Sequence, residues 1–184
     1  MLCRTTLLAL GCIAALSARA WADPGMTWSQ ERAWLASNTH VFFETINRAY
    51  DKDLGVTVGT ANVKGGPRNW ILHAVLTKSD VVSEETYTFS KGGSVMSLEQ
   101  GNRASQALIR RMYVGSPVLD EYLNASLVTT VPIYGEQGKE EFFAVKDGKF
   151  GFMLDPYEVT IFRNSELQER IKQAQYCANH KGCA

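Results

Sequence analysis

The sequence predicts an α+β fold, with one antiparallel sheet of roughly six to eight strands, an N-terminal helix, a central helical insert and a C-terminal helix. Three observations carry that expectation. Short β-rich runs flank tight turn signals at Gly92-Gly93 and Asp147-Gly148, the second being the strongest hairpin signal in the chain. A stretch patterned as helix, Ala104 to Asn124, separates two β-rich regions. Helical spacing also precedes the first β region and follows the last.

Taken in order, Thr27 with Gln30 three residues on forms a capping-box pattern. Trp34, Leu35, Val41, Phe42, Ile46 and Ala49 then recur at helical spacing, so a helix is expected from Gln30 to Tyr50. Leu54 to Val58 reads as a short strand and Gly59 to Asn69, with Gly65-Gly66-Pro67, as a loop. Trp70 to Thr77 is apolar on both alternating faces except for His73, which predicts a central strand covered on both sides. Thr86 to Lys91 and Ser94 to Glu99 are expected to pair across Gly92-Gly93. Ala104 to Met112 is a helix ending near Gly115, and Ser116-Pro117 supplies a cap and a first-turn proline for a short helix to about Asn124. Leu127 to Tyr134 is a strand in which Pro132 implies an edge or a bulge. Glu140 to Lys146 and Lys149 to Leu154 flank Asp147-Gly148, and Tyr157 to Phe162 is the last strand. Ser165 with Gln168 repeats the capping-box pattern and opens a helix to roughly Tyr176.

The first residues have the layout of an export signal. Arg4 supplies the positive end, Leu7 to Leu16 an uncharged apolar run, and Ala20-Trp21-Ala22 small residues at alternate positions before the cut. Cleavage is expected after Ala22, with Ala20 as the nearest rival, leaving a single domain over 23–184. The apolar run is ten residues long, against roughly 20 for a membrane-spanning helix, and nothing later comes close. Lipid attachment at Cys12 is a further rival, disfavoured because it leaves a very short apolar region ahead of the cut. No transmembrane segment is expected once the signal is gone, and the expected location is the periplasm or the extracellular space.

Loss of Arg4 and Arg19 leaves 17 basic residues against 19 acidic, a net charge of −2, with no Lys or Arg stripe. Phosphate neutralisation supplies most nucleic-acid affinity, so no nucleic-acid partner is expected. Two cysteines remain, Cys177 and Cys183, and in an oxidising compartment they read as a disulfide. Closing seven residues contributes about 2.4 kcal/mol in the loop-entropy model. Residues six apart in a continuous helix are separated by about 9 Å along the axis, so the last helix must stop near Cys177.

No catalytic, metal or cofactor motif stands out. His40 and Glu44 are four apart and could offer two ligands, but without a third they read as an exposed pair. Cys177, His180 and Cys183 could bind a soft metal only in competition with the disulfide. Asp51-Lys52-Asp53 lacks the glycine and the closing glutamate of a calcium loop. Gly-x-Ser-x-Gly and Ser-x-x-Lys are absent, and the paired glycines lack nucleotide-loop spacing. Glu140 and Glu141 are strand neighbours and must face opposite sides. His73, the lone polar residue in an apolar strand, is the one weak pocket candidate.

Two functional expectations follow. The favoured one is an exported, non-catalytic binding module with another protein as partner and no cofactor: an inhibitor, an immunity-type partner of a toxic enzyme, or an accessory subunit of an envelope assembly. Aromatic residues beyond obvious core needs (Trp70, Tyr87, Phe142, Phe143, Phe150, Phe152 and Tyr157) motivate it. The alternative is a periplasmic hydrolase or small-ligand protein with a pocket near His73.

Overall fold

The computed structural model describes residues 24–37, 42–52, 55–64, 70–89, 98–133 and 138–180. They form one eight-stranded antiparallel sheet with four α-helices. In chain order the elements are α1 (Trp28–Ser37), β1 (Phe42–Asp51), β2 (Val56–Lys64), β3 (Trp70–Leu76), β4 (Val82–Phe89), α2 (Leu98–Met112), α3 (Pro117–Asn124), β5 (Ser126–Pro132), β6 (Lys139–Ala144), β7 (Phe150–Leu154), β8 (Glu158–Arg163) and α4 (Leu167–Cys177). The strand order β1-β2-β3-β4-β8-β7-β6-β5 joins two four-stranded meanders at the β4–β8 pair. The expected α+β class, with helices at the start, middle and end, is the observed one.

The front face of the sheet carries the larger core. Trp70, Leu72, Ala74 and Leu76 alternate inward along β3 and meet Tyr87, Val159, Ile161, Phe150, Phe152 and Leu154 from the neighbouring strands. Trp28 and Trp34 of α1, Leu108, Ile109 and Met112 of α2, and Val118 of α3 close over them. The back face has a smaller core, in which Leu167 and Ile171 of α4 cover Val131, Phe142, Ala144 and Phe162. Two cores absorb most of the aromatic residues that exceed the needs of a single one. Trp70, Tyr87, Phe142, Phe150 and Phe152 are buried, and Phe143 packs half-buried against the front core. Of that group only Tyr157 is exposed, at 39%.

Several local readings hold. Thr27 and Gln30 form the reciprocal box, with Thr27 N–H donating to Gln30 Oε1 at 2.9 Å and Gln30 N–H to Thr27 Oγ1 at 3.4 Å. Ser116 caps α3 by accepting from Val118 N–H at 3.1 Å, and Gly115 (φ 74°) separates it from α2. Asp147 (φ 60°) turns the β6–β7 hairpin. Glu121 of α3 braces that hairpin by accepting from Lys149 N–H at 2.8 Å and Phe150 N–H at 3.0 Å. β5 is an edge strand as Pro132 implied, although its bulge falls between Leu127 and Thr129.

Others are corrected. The helix expected over Gln30–Tyr50 stops at Ser37, and Phe42–Asp51 is the edge strand β1. Its aromatic and β-branched content suits a strand, and antiparallel pairing with β2 outweighs an accidental helical period. Strand β2 runs through Gly59 to Lys64, where a loop was expected. Gly59 is there because a Cβ would lie 2.4 Å from the Trp28 ring. Of the strand expected over Ser94–Glu99, Leu98 and Glu99 instead open α2, and the Gly92-Gly93 turn lies outside the described residues. β4 instead pairs with β3 across a turn at Asp80 (φ 62°). Ser165 does not cap α4: a 3-10 turn, Asn164–Glu166, leads in with no side-chain cap bond, and Asn164 Nδ2 donates to Gly148 O at 2.9 Å instead.

Candidate functional site

β3 is interior, and among the described residues helices cover one of its sides. Its buried and half-buried residues alternate, and Ile71, His73 and Val75 point to the back face. Antiparallel sheets tolerate one solvated face, so the expected double cover is not required. Strand register extends this back surface across four strands. Asn47, Thr60, His73 and Thr86 lie in one row, flanked by Ala49, Val58 and Val75 and by Asn62, Ile71 and Thr88. No described helix covers these ten positions, because α4 lies over the β5–β8 half. The two remaining positions of these three rows are acidic, Glu84 opposite Val75 and Glu44 opposite Asn62. Of the ten, seven are half-buried, and Asn47, Ala49 and Asn62 are exposed.

His73 therefore stands on this back surface between two threonines, Thr60 and Thr86, with no described helix over it. Its burial lowers the imidazole pKa from 6.5, favouring the neutral ring. Among the described residues, no carboxylate hydrogen-bonds to it.

Beside this surface, α4 and the sheet enclose a cleft of about 230 Å³ lined by Glu84, Glu140, Glu158, Thr160, Arg170 and Cys177, with Phe142 and Met153 as apolar walls. His73 is not among its lining residues, although Thr160 bonds to Thr86, its register neighbour, at 3.1 Å. The Arg170 guanidinium pairs with Glu84, reaches Glu166 at 3.2 Å and lies 4.7 Å over the Phe162 ring. Glu84 also accepts from Thr86 Oγ1 at 3.1 Å. Burial raises the Glu158 carboxyl pKa to about 8, helped by the negative charges of Asp155, Glu84 and Glu140. Glu140 is raised by burial and then by Asp155. Asp155 accepts from Tyr157 N–H at 2.6 Å and Glu158 N–H at 2.8 Å, which fixes it as a charge beneath them. At neutral pH Glu158 therefore keeps its proton and can donate a hydrogen bond into the cleft.

A second polar cluster is sealed inside the front core. Glu31, Glu85, Tyr87 and Tyr113 have no exposed surface. Both tyrosine hydroxyls donate to Glu85 Oε2, from Tyr87 at 3.2 Å, and they lie 2.8 Å apart. Burial and then the Glu85 charge push both phenols well above their usual range. The Trp34 ring stacks on Tyr113 at 5.9 Å. The hydrogen bonds and the ring stack link α1 and the α2–α3 junction to β4.

The other sequence candidates are dispersed. Glu44 lies in β1, so the helical His40–Glu44 pair does not exist; His40 lies outside the described residues. Asp51 sits at the β1–β2 hairpin, paired with Val56. Glu140 and Glu141 diverge as expected, Glu140 into the cleft and Glu141 toward α2, where it accepts from Asn102 at 3.0 Å. α4 ends at Cys177, as a bridge to Cys183 requires, but Cys183 lies outside the described residues. The His180 ring stacks on Tyr176 at 4.0 Å. Among the described residues, no group of three or more His, Cys, Asp or Glu is placed to hold a metal ion, and no helix is long and apolar enough to cross a membrane.

No protein-family model, curated protein or solved structure matches the chain.

Proposed function

We propose that the protein is an exported, non-catalytic binding module that meets another protein through the β1–β4 half of its back face. In this reading residues 1–22 are removed on export, the domain matures in the periplasm or outside the cell, and Cys177 and Cys183 close its end. The supporting observation is the row Asn47, Thr60, His73 and Thr86 across β1–β4, with Val58, Ile71 and Val75 beside it partly open to solvent and no described helix over them. Covering the open parts of those three side chains contributes about 2–3 kcal/mol. The test is capture of partners from envelope extract, and from the secreted protein of competitor cells, with tagged 23–184 as bait and Thr60→Lys as a second bait. A partner held by the wild type and lost by Thr60→Lys is expected. Identical capture by both baits contradicts the proposal.

One observation favours a second reading, a periplasmic hydrolase or small-ligand protein. Glu158 carries a proton at neutral pH beside the charges of Glu84 and Asp155, a pairing that serves general acid chemistry. That reading uses the cleft beneath α4 and not the surface at His73. A ligand whose affinity falls tenfold or more in Glu158→Gln favours it; unchanged binding removes it.

A further inference from the structure

α4 meets the sheet through little apolar surface. Of its eleven residues only Leu167 and Ile171 are buried, against Val131, Phe142, Ala144 and Phe162. The front core draws on α1, α2 and α3 together. An element with so few buried contacts opens at lower free energy than the whole chain.

What α4 covers is charged. Arg170, Gln173, Ala174 and Cys177 roof the cleft, over Glu84 from β4, Glu140 from β6 and Glu158 from β8. Asp155, between β7 and β8, acts on Glu158 as a further negative charge. Against these α4 brings one cation, Arg170, and its guanidinium is shared between Glu84 and Glu166. Among the described residues, neither Glu140 nor Glu158 has a cationic partner. Two unpaired carboxylates beneath a helix are relieved by a proton on one of them or by water around both. The proton leaves the helix in place, whereas water requires it to rise.

We propose that α4 is a proton-latched lid, held over the cleft by the proton on Glu158 and freed to lift as that proton is lost. Burial, and then the charges of Asp155, Glu84 and Glu140, raise the Glu158 carboxyl to about 8 with the lid down. With the lid up the carboxyl meets water and returns toward its ordinary 4.5. The closed form is therefore fully favoured below that lower value, loses up to about tenfold per pH unit above it, and loses no more past the upper one. Glu140, raised by burial and then by Asp155, acts in the same direction. Cys177, as half of the proposed bridge, has no proton to lose. Lifting α4 uncovers Phe142 and Phe162, so one carboxyl sets how much apolar surface the back face presents.

Hydrogen exchange of mature 23–184, read by peptide mass spectrometry between about pH 5 and 9 and corrected for the intrinsic rate at each pH, tests this. Peptides from α4 are expected to be protected roughly a hundredfold less than those from β3, and to lose about fivefold or more across that range. In Glu158→Gln, shown to be folded by circular dichroism, the loss with pH disappears. Protection of α4 equal to that of β3 means that the helix leaves only when the whole chain unfolds, and overturns the proposal. So does α4 protection that is flat with pH, or that falls as far in Glu158→Gln. If the variant fails to fold, the gap to β3 and the pH dependence of the wild type decide.

Discussion

Replacing Glu158 by glutamine isolates the electrostatics of the cleft. In the folded chain its carboxyl holds a proton to about pH 8, against an ordinary value of 4.5. Between those limits the folded state binds a proton that the unfolded state has released, so stability must fall as pH rises. The limiting slope is about 1.4 kcal/mol per pH unit, and the whole window caps the effect near 5 kcal/mol. Residual solvent contact and the nearby Arg170 guanidinium reduce that to about 1–3 kcal/mol between pH 5 and 9. Glutamine has the same shape and no proton to lose. Urea unfolding followed by tryptophan fluorescence should show wild type and Glu158→Gln equally stable within about 0.5 kcal/mol at pH 5, with the variant ahead by about 1–3 kcal/mol at pH 9. Parallel curves, or a wild type that gains on the variant as pH rises, refute the reasoning.

Three further outcomes are expected. Gly59→Ala drives a methyl into the buried Trp28 ring and should cost about 1–3 kcal/mol in denaturant unfolding, with a change in tryptophan emission. Tyr113→Phe removes a hydroxyl from a fully buried carboxylate and should cost about 1–3 kcal/mol, against no measurable cost for Tyr157→Phe at the surface. Mature protein treated with a thiol reagent before and after reduction should take up two adducts only after reduction; two adducts beforehand contradict the proposed Cys177–Cys183 bridge.

Local chemistry made much of the fold legible. Asp147-Gly148, Ser116-Pro117 and the Thr27–Gln30 box act within a few residues, and each forms as read. β1 was hidden because Trp34, Val41, Phe42, Ile46 and Ala49 fit a helical period by chance, while its pairing partner lies beyond the turn. Gly59 read as a turn residue, since only the packed Trp28 ring reveals why a side chain is forbidden there. The cleft could not be read at all. Glu84, Glu140, Glu158 and Arg170 come from four separate elements, and the register of β4, β8, β7 and β6, with α4 across them, brings them together. His73 was noticed for its polarity in an apolar strand, and the register sets it between Thr60 and Thr86 on the back face of the sheet.

The most direct measurement is the reactivity of the His73 imidazole toward an acylating reagent, read by peptide mass spectrometry, in dilute protein and in each complex the mature chain forms. His73 is expected to react when the protein is alone and to be protected several-fold in the assembled state. Equal reactivity in every state contradicts the assignment of β1–β4 as the binding surface.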